Sequence, residues 1–264
     1  MTTSSLPFQV DRAVIIRATP EIVFRFFTDS AYWARWWGPG STIDARPGGR
    51  VLIYFPGGNE ASGEVIEVHP PERIVFTYGY ANGELIPAGG SRVTIRLDQV
   101  ADGTRVQLTH DVADAAVRDV HVQGWRYQMA VFSVAAADVV NVGAAEAVDA
   151  WFQAWSEPDA DASERTLRAI ALAGVTFRDA FSNIVGITDL LPHLAAARKF
   201  MPGVSLKRAG EVRHCQGTAL ADWVATAPDG AERSRGTNVF VFGPTGKIEA
   251  VTGFWNQGTQ ELRN

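Results

Sequence analysis

The polar groups best suited to proton transfer are a carboxylate at a strand end, an imidazole on a helix and an amide inside a strand. Asp179 closes the strand-like run VTFRD. Buried in an apolar pocket, it would have a raised pKa and act as a general base. At an open strand end it would be an ordinary solvated or capping carboxylate. His193 lies on the helical stretch 187–200, three residues from Leu190 and four from Ala197. It can form an acid–base pair with Asp179 across a pocket mouth, or sit on the helix surface. Asn238 offers an amide donor to a substrate oxygen, or satisfies backbone groups at a strand edge. Asp222 and Trp223 are neighbours in a strand and face opposite ways, with Trp223 the natural lining residue. Trp255 is a second lining candidate there. All five tyrosines lie before residue 143. An oxyanion hole in the second half would therefore use Asn238, His193, a tryptophan N–H or a protonated carboxylic acid.

In the first half, His121 and Trp125 share one helical face at i and i+4. With Tyr78, Tyr80 and Trp36 they can line a cavity for flat apolar ligands. A plain aromatic core is the alternative, above all for Trp36 and Trp125. His69 precedes Pro70 in a turn, and His110 ends a strand beside Asp111. His214 and Cys215 are adjacent in a strand, so they are not a nucleophile pair, and Cys215 reads as a small core residue. A single cysteine excludes an internal disulfide framework and a cysteine-held metal cluster. The five histidines show no HxH or HxxEH spacing, so no metal is expected. The glycine pairs at 48–49, 57–58 and 89–90 are turn glycines. No GxGxxG or GxxxxGK[ST] occurs, and no cofactor is expected.

The elements that must position these groups fall into two sets. Residues 8–18 read as a strand. Thr19 and Pro20 open a short helix as N-cap and first helical residue. A second short helix carries Tyr32, Trp33, Trp36 and Trp37 up to Gly38. Strand-like runs follow at 41–46, 50–55, 60–69, 72–80, 91–100 and 103–110, with Asp102-Gly103 marking a hairpin. Residues 115–141 form a long helix with two apolar stripes. One holds Val117, Val120, Gly124, Tyr127, Val131 and Val134; the other holds His121, Trp125, Met129, Phe132 and Ala136. A helix apolar on two sides is expected to pack deeply. A curved antiparallel sheet gripping it would leave a cavity.

From NVGAAEAVDAWF onward come helices at 144–156, 162–173 and 187–200, with a strand-like run at 175–179. Four more runs, 204–214, 217–227, 232–242 and 247–255, predict a sequential antiparallel sheet. Helices followed by strands describe an α+β domain.

The first set contains, in order, TPEIVFRFFTDSAYWARWWGPG, DARPGGRV, GEVIEVHPPERIVFTY, GTRVQLTH and HVQGW. Over residues 8–140 it resembles the heat-shock-protein ATPase activator-like branch of the START-like (SRPBCC) superfamily. That implies a helix-grip fold with a hydrophobic ligand cavity. The second set contains AWSEPDADASERTL, VTFRDAFSNIVGITDLLPHL and DGAERSRGTNVFVFGPTGKIEAVTGFW. Over residues 144–256 it resembles the SnoaL-like, nuclear-transport-factor-like cone fold. That superfamily includes isomerases, dehydratases, polyketide cyclases and proteins without catalysis, so the fold implies a pocket and not a reaction. The expected architecture is α+β in two domains: a START-like helix-grip domain at 1–142 and a SnoaL-like cone domain at 143–264.

The chain carries 24 Lys+Arg against 29 Asp+Glu, a net charge of −5. Neither half has the basic footprint of a nucleic-acid or anionic-membrane binder. No membrane span is expected. The start lacks a signal-peptide pattern, so a cytoplasmic protein is expected. The first functional reading is binding of a small hydrophobic or aromatic molecule in one or both cavities. The second is a cofactor-independent cyclase, isomerase or dehydratase acting on a polyketide-like or cyclic substrate, with Asp179 as base. The third, a chaperone-linked partner-binding protein, rests on the family resemblance alone. The cone-fold resemblance also implies a homodimer.

Overall fold

The computed structural model describes residues 5–257. Residues 1–4 and 258–264, which the expected domain ranges include, lie outside the described residues. The chain divides into two compact units, residues 1–139 and 140–264.

The first unit runs β1 (Phe8–Ile16), α1 (Pro20–Arg25), α2 (Ser30–Trp37), β2 (Thr42–Ile43), β3 (Arg50–Tyr54), β4 (Glu60–His69), β5 (Arg73–Tyr78), β6 (Ser91–Val100), β7 (Gly103–Val112) and α3 (Ala115–Val140). Its seven strands form one sheet in the order β1-β7-β6-β5-β4-β3-β2, every neighbouring pair antiparallel. Pro20 opens α1, but the Thr19 side chain makes no capping bond. Asp29 is the side chain that caps, its Oδ1 accepting from the Ala31 amide at 2.8 Å to start α2. In the β6–β7 hairpin Val100 pairs with Gly103. The turn residues are therefore Ala101 and Asp102, one position earlier than the Asp102-Gly103 motif suggests. Gly103 instead serves a close approach: its φ is +132°, and a Cβ there would lie 2.1 Å from the Ile16 carbonyl oxygen.

Only one of the two apolar stripes on α3 is packed. His121, Trp125, Met129, Phe132 and Ala136 are buried, whereas Val120, Tyr127 and Val134 are 55%, 70% and 41% exposed. The expectation of a helix packed on both sides is thus corrected. Phe132 meets Phe26, Phe27 and Trp36, and Trp125 reaches His110 on β7. These partners cover one side of α3 and leave the other stripe in solvent.

The second unit runs α4 (Ala144–Ser156), α5 (Ala160–Ile170), β8 (Ala171–Arg178), β9 (Asn183–Val185), α6 (Ile187–Phe200), β10 (Ser205–Cys215), β11 (Thr218–Thr226), β12 (Glu232–Phe242) and β13 (Ile248–Gln257). The sheet order is β10-β11-β12-β13-β8-β9. The last four strands are sequential and antiparallel, as expected, but β8 joins β13 in parallel. That pairing begins at Ala171 with Ile248, which is why α5 stops at Ile170 and does not continue to 173. Trp151 and Phe152 of α4, Leu190 and Leu194 of α6, and Trp223 and Phe240 of the sheet share one core. Cys215 is not a core residue: it is exposed at the end of the edge strand β10, where no further strand covers it. Among the described residues no single helix is long and apolar enough to cross a membrane.

Candidate functional site

Helix α2 places three indoles on one face, because Trp33, Trp36 and Trp37 follow i, i+3, i+4 spacing. All three are buried. Trp33 Nε1 donates to the Leu52 carbonyl at 3.1 Å and Trp36 Nε1 to the Phe26 carbonyl at 3.3 Å. Trp37 Nε1 is buried with no partner. An unmet buried donor costs about 1–3 kcal/mol, so an acceptor brought to it is stabilised.

Trp37 forms part of the wall of a cavity of about 350 Å³, together with Phe55, Tyr78, Tyr80, His121 and Trp125. Ring contacts link its lining side chains to one another and, through His110, to the core behind them. Centroid separations are 5.7 Å for Trp37–Phe55, 6.3 Å for Phe55–Tyr80 and 6.1 Å for Tyr80–His121. They are 5.1 Å for His121–His110, 5.8 Å for His110–Trp125 and 5.7 Å for Trp125–Trp37. Aromatic edges and faces at these separations suit a flat guest.

Two imidazoles supply the polar chemistry, and their hydrogen bonds fix which nitrogen carries the hydrogen. Trp125 Nε1 donates to His110 Nδ1 at 2.9 Å. Nδ1 is thus an acceptor, and His110 Nε2–H donates to Ser91 Oγ at 2.7 Å. Ser91 Oγ donates onward to the Tyr78 carbonyl at 2.7 Å. His110 is fully buried, and burial pushes its pKa down to about 3, with His121 adding to the shift and Asp111 opposing it. On α3, His121 Nδ1 lies 2.8 Å from the Val117 carbonyl oxygen, 3.4 Å separating its Nε2 from the Tyr80 hydroxyl. Burial lowers its pKa too, opposed by the bond to Val117. Burial likewise raises the Tyr78 phenol, reinforced by Tyr80.

Tyr78, Tyr80, His121 and Trp125 meet at this cavity. Trp36 does not line it. Its ring packs on Phe27, Phe132 and Trp33, and its carbonyl accepts from the Gln128 side chain, so it belongs to the core. Trp37, one residue on, takes the wall position. Phe55 was also not among the sequence candidates. The spacing of α2 places both Trp36 and Trp37 on the inner face. Which of them borders open space depends on where β3 ends and Phe55 begins, which no local pattern specifies.

In the second unit two glycines clear space for side chains. A Cβ at Gly253 would lie 3.1 Å from Asn238 Oδ1 and 3.4 Å from the Asp179 Cβ. A Cβ at Gly236 would lie 2.5 Å from the Trp223 ring. Around them Trp223 Nε1 donates to Asn238 Oδ1 at 2.9 Å and Trp255 Nε1 to Asp179 Oδ2 at 3.3 Å. The two indoles meet edge to face at 5.1 Å. Asp179 Oδ1 accepts from the Phe181 amide at 2.9 Å, closing an Asx turn. The expected Asp179–His193 pair does not form. His193 Nε2 lies 3.2 Å from Ser182 Oγ, and its ring packs on Trp155 and Phe177. The Asx turn holds Asp179 toward Trp255, and α6 presents His193 to Ser182 instead. Trp151 Nε1 and Trp155 Nε1 are buried without partners. Asp222 is exposed and accepts from Thr237 Oγ1, with Trp223 buried on the other face. Among the described residues no group of three or more His, Cys, Asp or Glu side chains is placed to hold a metal ion.

No curated protein sequence matches this chain significantly. Several solved structures are similar to parts of it. A SnoaL-like family protein from Agrobacterium tumefaciens strain C58 is 21% identical, covering 45% of this chain and 99% of its own, with a TM-score of 0.42. CalU16 from Micromonospora echinospora is 24% identical over 48% of this chain and 74% of its own, with a TM-score of 0.39. The Aha1 dimer from Colwellia psychrerythraea is 18% identical over 46% of this chain and 90% of its own, with a TM-score of 0.41. At these identities and scores the likenesses carry no functional weight. The family model described as Activator of Hsp90 ATPase homolog 1-like protein matches residues 17–136, the stretch that builds the cavity. Residues 17–136 of this chain are therefore similar to the activator of Hsp90 ATPase homolog 1-like family.

Proposed function

We propose that the first unit binds a small, flat, largely apolar molecule in the cavity walled by Trp37, Phe55, Tyr78, Tyr80, His121 and Trp125. The observation that carries this reading is a space of about 350 Å³ bordered mainly by aromatic rings. Pockets of this size and lining are the usual form of small-molecule sites. A ligand that binds only the folded state raises the melting temperature with its concentration. One- and two-ring aromatic compounds are therefore expected to stabilise the protein, and Trp37→Ala to remove that effect. A panel in which none of them raises the melting temperature would refute the reading.

A second reading has support from one placement. In the second unit Gly253 lies beside both Asn238 and Asp179, and Trp255 Nε1 donates to the Asp179 carboxylate. We propose there a cofactor-independent acid–base site of the isomerase or cyclase kind, with Asp179 as base. Its test is exchange of α-protons of cyclic ketones into deuterated water, followed by NMR. Exchange accelerated by the protein and lost in Asp179→Asn supports it. Equal rates with and without the protein exclude it.

A further inference from the structure

We infer that the molecule taken by the first unit's cavity is a neutral aromatic compound bearing a hydroxyl group, with that hydroxyl lodged between Tyr80 and His121. This rests on the binding reading above and narrows it to a chemical class. The Val117 carbonyl oxygen can only accept, and it lies 2.8 Å from His121 Nδ1. Nδ1 therefore holds the hydrogen of the neutral ring, and Nε2 is left as a lone pair. Its neighbour is the Tyr80 hydroxyl at 3.4 Å, longer than a normal hydrogen bond. An oxygen about 2.8 Å from each of two atoms so separated completes a triangle. There it accepts from the Tyr80 O–H and donates to His121 Nε2.

A hydroxyl does both at a single atom. An ether or a carbonyl only accepts and leaves Nε2 unmet. A carboxylate brings a charge into a wall that contains no Lys or Arg, and burying an unpaired charge is strongly unfavourable. Size sets a further limit. At ~30 Å³ per water-sized atom the cavity holds about a dozen non-hydrogen atoms, a one- or two-ring compound.

The test uses the full chain at pH 7 with 2-naphthol, its methyl ether 2-methoxynaphthalene and 2-naphthoate, titrated by tryptophan emission. 2-Naphthol is expected to bind about tenfold tighter than the ether, the size of one unmet buried hydrogen bond, and the naphthoate weakest. His121→Phe is expected to abolish the preference, so that 2-naphthol and the ether bind alike, with circular dichroism and the melting curve certifying that the variant folds. In ¹⁵N NMR of the wild type, 2-naphthol is expected to shift the His121 Nε2 resonance and to leave Nδ1 protonated. Equal affinity for 2-naphthol and the ether, or a preference that survives His121→Phe, overturns the hydroxyl assignment and leaves the broader reading standing. Absence of binding by all three compounds overturns both.

Discussion

His110 should make the first unit lose stability in mild acid, by an amount the structure allows to be worked out. The ring is fully buried and satisfied only as the neutral form. Nδ1 accepts from Trp125 and Nε2 donates to Ser91. A second ring hydrogen would point at the Trp125 N–H, donor against donor. Burial is the main cause that pushes the folded-state pKa down from 6.5 to about 3. Between those values the unfolded chain binds a proton that the folded chain refuses, so stability rises with pH. The contribution is full above pH 6.5 and is lost progressively as pH falls toward 3. Each pH unit in that window is worth about 1.4 kcal/mol. From pH 7 to pH 5 the loss assigned to His110 is therefore about 2 kcal/mol, and His121 adds to it in the same direction. The assay is urea unfolding at pH 7 and pH 5, read by ¹⁹F NMR of fluorotyrosine, because all five tyrosines lie in this unit. His110→Asn keeps an acceptor for Trp125 without a titrating group, and its pH dependence should be flatter than wild type by about that 2 kcal/mol. Should Asn not fold, imidazole NMR of the wild type reads the His110 pKa directly. A His110 that titrates near 6.5, or wild type and His110→Asn with equal pH slopes, would refute the reasoning.

Three substitutions test the packing. Gly103→Ala puts a Cβ 2.1 Å from the Ile16 carbonyl at a φ of +132°, and is expected to destabilise the first unit by about 3 kcal/mol or more in urea unfolding. Gly236→Ala puts a Cβ 2.1 Å from the Phe254 carbonyl and 2.5 Å from the Trp223 ring, and should cost the second unit about 1–3 kcal/mol with altered tryptophan emission. Asp149 is held below the usual carboxylate range by its hydrogen bonds to Arg208, yet its side chain is 50% exposed. Asp149→Asn should therefore cost less than about 1 kcal/mol, and a loss above 2 kcal/mol would contradict that estimate of a solvent-screened pair.

The strands of the first unit were legible because alternation and turn residues mark both ends of each run. The runs at 60–69 and 91–100 match β4 and β6 residue for residue. Helices α4 and α6 were legible from their apolar spacing for the same reason. What sequence could not supply is what lies across from each element. The stripe Val120–Tyr127–Val134 has the same local pattern as the buried one, and only the side facing α1, α2 and the sheet decides which is covered. The parallel join of β8 to β13 pairs residues more than seventy positions apart, beyond any local signal. Four of the five aromatic candidates of the first unit came together because i, i+2 in a strand and i, i+4 in a helix are fixed spacings. Trp36 was misplaced because adjacent residues on α2 both face inward. His110, whose pKa burial pushes strongly down, looked like an ordinary strand-end histidine, since its partners Ser91 and Trp125 are distant in sequence.

A cavity walled by large rings persists only if the rings are held back from it. In the first unit they are. Trp125 is tied through His110 and Ser91 to the Tyr78 carbonyl, and behind the wall Trp33 and Trp36 are tied to Leu52 and Phe26. Closing the space would break such bonds at about 0.5–1.5 kcal/mol each and leave buried groups unmet. The loosest contact on the cavity side is between the Tyr80 hydroxyl and His121 Nε2, at 3.4 Å. The wall is thus rigid where its bonds point away from the space and loosest between Tyr80 and His121, where a guest hydroxyl would enter. Around Trp223 the second unit does the reverse. The indole occupies the volume that Gly236 leaves, and its N–H is met by Asn238. At that point the protein fills its own space, so a mutation that opens it, Trp223→Ala, should create a void in the second unit while leaving ligand selection by the first unchanged.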